Sequence, residues 1–390
     1  MATGFTSILA IPQRLRYWRK VLVSLFLGLA LLVTGCSLPQ VSAESRLFLN
    51  LSASLVASYT LPQSDFNGTT LGGFSALTYS SQANRIYALV DDKTQPRFYT
   101  LTLNRDDSLS NSTPLKVEAV TLLKDPLQLE PSNPSATLDG EGLVLTRHGT
   151  VFVASEGNQS LKIPPRLSEF KVADGAWQQD LPLPKQFWML EPDDDTLALG
   201  VNPNQGFEAL AINAEGDRLF TATAAPLKQD ASQPFSRFLH YWIGEPEPIL
   251  ISEHLYPLDS DPTDGILHGL ADLISIDNAG HFLSLERSYS PTAGYGATLY
   301  QLATGVATDI SGMRTLPSNL KGIVPILKQP LLNLAELSIP LQNLEGLSLG
   351  PQLLDGSRSL LLISDNGSNP KVPTQVLMLR LGKRLSPAKI

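Results

Sequence analysis

The chain has 390 residues, of which 43% are hydrophobic and 17% charged, with 28 Gly and 29 Pro. This balance describes a folded, turn-rich chain able to bury a core without disulfides, and it excludes a mini-protein, a coiled coil and wholesale disorder. Twenty-nine Lys and Arg against 37 Asp and Glu give a net charge of −8, and no basic patch suited to nucleic acid is visible.

Taken in chain order, Arg14, Arg16, Arg19 and Lys20 precede an apolar run of 13 residues at 21–33. That run is too short to span a bilayer comfortably and reads as the core of an export signal. Val33-Thr34-Gly35-Cys36 resembles the lipobox of bacterial lipoproteins, in which the cysteine is lipidated and becomes the first mature residue. Cys36 is the single cysteine, as expected of a thiol kept for acylation rather than for a disulfide. The competing site is an ordinary cleavage after Val41-Ser42-Ala43. Residues 1–35 are therefore expected to be a signal peptide, and their removal leaves a charge of −12. The product would be an exported domain, lipid-anchored to the cell envelope and facing the periplasm or the exterior.

Residues 36–69 read as a linker with a ring-closing strand, and residues 70–390 carry an internal repeat. Five copies begin at Gly73-Phe74-Ser75-Ala76-Leu77, Gly140-Glu141-Gly142-Leu143, Gly206-Phe207-Glu208-Ala209-Leu210, Gly269-Leu270-Ala271-Asp272-Leu273 and Leu344-Glu345-Gly346-Leu347. Their leucines at 77, 143, 210, 273 and 347 are 66, 67, 63 and 74 residues apart. Each copy continues through a polar turn into a β-prone run: 85–91, 150–156, 218–224, 281–286 and 359–365. Further strands are expected at 97–103, 238–242, 298–302 and 375–379. Repeated antiparallel units of this kind predict an all-β fold, a β-propeller, because each small sheet buries its faces only against its neighbours. The five recognisable repeats allow five blades, or six if a degenerate blade occupies 313–341.

In a propeller, equivalent positions converge on the axis. Glu141, Glu208 and Glu345 share one position in the first strand, filled elsewhere by Ser75 and Ala271. They are the candidate catalytic acids, with His268 as a candidate general base. The runs that follow end in Asp91, Glu156, Glu286 and Asp365, with Ala224 as the exception. Carboxylates gathered in this way suit Ca²⁺, or else Mg²⁺, so these four are the candidate metal ligands. Arg97, Arg147 and Arg287 accompany them and are the candidate contacts for a phosphoryl group. The competing reading is that the acids act only as ties between blades.

Gly72-Gly73-Phe74-Ser75 with Arg97-Phe98-Tyr99, Asp139-Gly140-Glu141-Gly142 with Ala154-Ser155-Glu156-Gly157, and Leu285-Glu286-Arg287-Ser288-Tyr289 are similar to the bacterial phytase-like family, also described by an esterase-like activity of phytase. Asn204-Gln205-Gly206-Phe207-Glu208 and Asn343-Leu344-Glu345-Gly346 with Ser364-Asp365-Asn366 continue the pattern, which covers about residues 70–385. The resemblance implies an exported β-propeller that hydrolyses phosphoric esters of small substrates with the help of a divalent cation. Ala224 and Ala271 interrupt the acidic ring, which sets the chain apart from calcium-rich alkaline propeller phytases. The alternative function is a non-catalytic propeller lipoprotein that binds a ligand or an envelope protein. Oligomeric state is not legible in the sequence.

Overall fold

The computed structural model describes residues 47–103, 115–129, 138–189, 198–259 and 265–383. The segment expected to hold an export signal and lipobox, with Cys36, lies outside these residues. No helix among the described residues is long and apolar enough to cross a membrane.

The chain forms five four-stranded antiparallel sheets, the blades of a five-bladed β-propeller. Blade 1 comprises Phe74–Ser80, Arg85–Val90, Arg97–Leu103 and Leu115–Leu122. Blade 2 comprises Gly140–Leu145, Thr150–Ser155, Arg166–Lys171 and Trp177–Asp180. Phe207–Ile212, Arg218–Thr223, Phe235–Trp242 and Ile249–Pro257 make blade 3. Blade 4 runs Leu267–Ser275, His281–Ser290, Gly294–Ala303 and Leu327–Asn333. Blade 5 takes Asn343–Leu349, Arg358–Asp365 and Thr374–Lys383 from the end of the chain and Leu51–Leu61 from its beginning.

That last pairing closes the ring. Leu51 lies opposite Lys383 and Leu61 opposite Thr374, so the last blade is completed by a strand that precedes the first. The strand order leaves no blade without a partner on either side, which is how a propeller disposes of its edges. A short hairpin, Ser64–Phe66 with Thr69–Leu71, follows the closing strand. Its Asn67-Gly68 turn takes positive φ at both residues, the backbone twist that two-residue hairpins favour.

The 313–341 stretch holds no sixth blade. Leu327–Asn333 is the outer strand of blade 4, and the segment before it lines the edge of blade 3. There Ile310 N donates to Glu253 O at 2.8 Å and Ile326 N to Leu255 O at 2.9 Å, while Ile310 and Leu316 pack on Leu255. An otherwise open edge strand is thereby covered.

The core lies between blades rather than in one mass. Leu89, Phe98, Val151, Val153 and Phe170 fill the space between blades 1 and 2, and Phe220, Phe238, Leu270 and Phe282 that between blades 3 and 4. The first strands of successive blades contact one another in a closed cycle, so they surround the axis.

Candidate functional site

In every blade the ladder between the first and second strands skips one residue. The skips fall between Phe74 and Ala76, Gly140 and Gly142, Phe207 and Ala209, Leu270 and Asp272, and Leu344 and Gly346. The residues left out are Ser75, Glu141, Glu208, Ala271 and Glu345. A β-bulge frees its extra residue from the ladder and re-aims the side chain. Five bulges at one level thus turn one residue per blade toward the axis.

Two further positions per blade belong to this end of the channel. The residue two before the bulge is Gly73, Asp139, Gly206, Gly269 or Asn343. Opposite it, at the end of the second strand, stand Asp91, Glu156, Ala224, Arg287 and Asp365. Here the register corrects an expectation. Leu270 pairs with Glu286 and Gly269 with Arg287, so the fourth-blade equivalent of Asp91 is Arg287 and not Glu286. A one-residue slip in a strand moves a side chain to the other face.

Glu286 belongs to a different network on that other face. Tyr256 Oη donates to it at 2.7 Å, Lys328 Nζ at 2.5 Å and Asp259 N at 3.2 Å, and His268 Nε2 lies 3.4 Å away. Burial alone would raise its carboxyl, but His268, Lys328 and Tyr256 outweigh burial and hold it low. Glu286 and His268 are therefore engaged with each other.

Arg287 is the centre of the charged channel end. Its Nη2 lies 3.2 and 3.1 Å from the two carboxylate oxygens of Glu208 on blade 3, and its Nη1 pairs with Glu345 on blade 5. Asn343 Nδ2 also donates to Glu345, at 2.7 Å. Arg287 is only 11% exposed. Gly269 opposite it and Ala271 at the bulge carry no long side chain that would compete for this space.

The acids of blades 1 and 2 meet with Lys93 as their basic neighbour. One carboxylate oxygen from each of Asp91, Asp139 and Glu141 lies within 4.8 Å of the others. Asp91 Oδ1 and Asp139 Oδ1 are buried and accept no hydrogen bond among the described residues. Asp139 is 4% exposed, and Lys93 Nζ is 2.7 Å from its other oxygen.

This crowding shifts the titration of the group. Burial pushes Asp139 up to about 6, against the pull of Lys93 and with help from Asp91. Burial, then the neighbouring Asp91, Glu156 and Glu208, drive Glu141 well above the usual carboxylate range. Glu156 rises to about 8 through burial and the charge of Glu208, even though Gly206 N donates to its Oε1 at 2.5 Å. Burial raises Glu208 and Asp365 too, with Arg287 opposing the rise at both.

The remaining basic residues lie elsewhere. Arg97 is 3% exposed and wholly engaged, donating to Asp92 Oδ2 at 2.6 Å, Gln95 O at 2.8 Å and Thr70 O at 2.9 Å. It pins the early hairpin to blade 1. Arg147 sits in the turn at the far end of the first hairpin of blade 2, where it donates to Ala214 O. Glu141 is the second residue of the strand Gly140–Leu145, whose last four residues put that turn about 13 Å or more away at the usual rise.

Three contributors escaped sequence reasoning. Asp139 and Asn343 precede the bulge by two residues, and their place on the axial face was legible only in strand alternation. Asp272 follows the bulge of blade 4, where the other blades carry Ala or Gly. Its carboxylate accepts from Leu347 N at 2.7 Å, Leu273 N at 2.8 Å and Leu210 N at 3.4 Å, tying blades 3, 4 and 5 together.

A family model described as "Phytase-like: Esterase-like activity of phytase" matches residues 69–368. The chain belongs to the phytase-like family. The match spans all five bulged strands, so the channel end just described is the phytase-like domain's own. A comparison with curated proteins returned no match. Among solved structures, the Dos1 propeller is similar with a TM-score of 0.34 and 9% identity, over 79% of this chain and 68% of that one. An endo-arabinase from Bacteroides thetaiotaomicron gives 0.41 and 13%, over 83% and 97%. A thermostable family-43 glycoside hydrolase gives 0.40 and 10%, over 85% and 94%. At such distances the propeller assignment rests on this chain's own strand order.

Proposed function

We propose that this phytase-like protein hydrolyses phosphoric esters of small substrates at the carboxylate-rich end of its channel. The observation that carries the reading is the meeting of Asp91, Asp139 and Glu141 from two blades, with two buried oxygens unpartnered, in the same channel end as the Arg287 guanidinium. Membership of the family supports hydrolysis of an ester.

A divalent cation fits the residues present. The donors are all oxygens and stand close enough to share one ion, and the Asp91 and Asp139 Oδ1 atoms accept no hydrogen bond although Lys93 pairs with the other Asp139 oxygen. Ca²⁺ or Mg²⁺ bound there would supply Lewis-acid polarisation of a phosphoryl oxygen.

The chain's own groups do the rest. Arg287 has both terminal nitrogens engaged, Nη2 with Glu208 and Nη1 with Glu345 and Asn343, and it would bind and orient the anion by exchanging one of these contacts for a phosphoryl oxygen. Glu156, with its carboxyl raised to about 8, keeps a proton near neutral pH and can donate it to the leaving oxygen. Glu208, paired to Arg287, is the carboxylate able to take the proton of an attacking water. His268 has no role here, being engaged with Glu286 on the other face.

The N-terminal basic and apolar segment and Cys36 support export and lipid anchoring, which would put the reaction outside the cytoplasm. The test is phosphate release from a panel of phosphomonoesters by the full chain, with Ca²⁺ supplied and then chelated. Release that depends on the ion supports the reading, and no release from any ester overturns it.

A further inference from the structure

Blade 4 is not like the others at the channel end. Its second and third strands, His281–Ser290 and Gly294–Ala303, have ten residues each, whereas the second strands of blades 1, 2 and 3 have six. In those blades the second strand stops one residue before the axial position. In blade 4 it passes Arg287 and continues to Ser290, so the hairpin stands beyond the level of the carboxylates.

What this extension displays follows from strand alternation. Residues two apart share a face, and the ladder from Arg287 to Ser290 runs without a skip against Ala297 to Gly294. Tyr289 is therefore on the face of Arg287, and Tyr295, paired with it, is on that face as well. Leu267 on the first strand completes the row. The row lies one two-residue step from Arg287, about 7 Å along the strand.

The two rings form a single platform. Their centroids are 4.8 Å apart with the planes inclined at 49°, and Tyr295 is 39% exposed. The tip is fixed: Ser290 Oγ accepts from Thr292 N at 3.3 Å and from Ala293 N at 3.1 Å, and Gly294 takes a positive φ. A preorganised aromatic surface beside an anion-binding group loses little entropy when a flat group settles on it. The charge of the channel end also limits the anion. Among the described residues its basic groups are Arg287, paired with Glu208 and Glu345, and Lys93, paired with Asp139, so a single phosphoryl group is accommodated and a polyphosphorylated ligand finds no further positive partner.

We infer that the substrates are monophosphoric esters whose alcohol carries a flat ring, with the phosphoryl group at Arg287 and the ring stacked on Tyr289 and Tyr295. The inference rests on the proposed hydrolase reading and deepens it by naming the substrate class. Aromatic contact would add about five- to tenfold in affinity over an ester lacking the ring.

The probes are phenylphosphonate and methylphosphonate, which carry the same headgroup and are not cleaved. Calorimetric titration of the full chain with Ca²⁺ present is expected to show tighter binding of phenylphosphonate. Tyr295→Ala should abolish that preference while leaving methylphosphonate binding unchanged, and Tyr295→Phe should keep it. Equal binding of both probes by the wild-type chain, or a preference that survives Tyr295→Ala, overturns this inference and leaves the hydrolase reading standing. Binding of neither probe overturns both together.

Discussion

Arg287 of blade 4 and Glu208 of blade 3 meet in the channel with Nη2 3.1 Å from Oε2. They are 79 residues apart in sequence and join because the first strands of blades 3 and 4 pack side by side. The same guanidinium reaches Glu345 of blade 5, so one side chain spans three blades. In a channel end otherwise dominated by acids, it is a structural tie and, in the proposed function, the group that binds the anion.

Replacing Arg287 by Met is expected to destabilise the fold by roughly 3 kcal/mol near pH 8, because Glu208 and Glu345 are left buried without their partner. The loss should be smaller near about pH 5, because burial raises the Glu208 carboxyl and a proton taken up there relieves its unpaired charge. Denaturant melts at the two pH values check this. Activity should fall by about 100-fold or more at either pH, as for loss of a preorganised charge-stabilising group.

Stability should decline as pH rises. Glu156 titrates at about 8 in the folded chain against 4.5 when free, so between those values the native state holds a proton that the unfolded chain has released. Its contribution is complete below the unfolded pKa and is lost as pH climbs through the folded one, at about 1.4 kcal/mol per pH unit. Asp139, at about 6, adds to the slope over the lower part of the window. Thermal melts from about pH 5 to about pH 9 should show a falling Tm, and Glu156→Gln should flatten the curve.

Gly206→Ala tests how Glu156 is held. A Cβ at this position would lie 3.1 Å from the Cα and Cβ of Glu156 and 3.2 Å from its Cγ. Glu156 would have to shift and lose the hydrogen bond from Gly206 N. A cost of about 1–3 kcal/mol in a urea melt is expected, and the same substitution at Gly149, with open space around its Cβ but a positive φ, should cost only its backbone strain.

Calcium should stabilise the full chain by binding the native state alone, by about 2.7 kcal/mol at a hundredfold excess over Kd, and so raise its Tm. Asp139→Asn should remove the shift without lowering the Tm of the metal-free protein, since it relieves a buried carboxylate. Differential scanning calorimetry with and without EDTA reads both.

Much of this architecture was legible in the sequence because each blade repeats one physical problem. A Gly or small residue, an apolar pair and a polar turn recur at the axis, so the positions of Ser75, Glu141, Glu208, Ala271 and Glu345 aligned correctly even though the bulge that aims them was invisible. The slip at Glu286 and Arg287 shows the limit. Both residues end a β-prone run, and only the ladder decides which faces the axis. Arg97 and Arg147 stand close in sequence to Asp91 and Glu141, whereas their partners Thr70 and Ala214 belong to other parts of the ring. Asp272 carries no periodic signal at all, since its backbone partners come from neighbouring blades.

The central claim is that acids and a guanidinium from separate blades form one hydrolytic site, and phosphate release by three single variants tests it most directly. Asp91→Asn on blade 1, Glu141→Gln on blade 2 and Arg287→Met on blade 4 should each lower kcat/KM on an aryl phosphate by about 100-fold, with circular dichroism confirming that each remains folded. Wild-type turnover in all three folded variants would contradict the account.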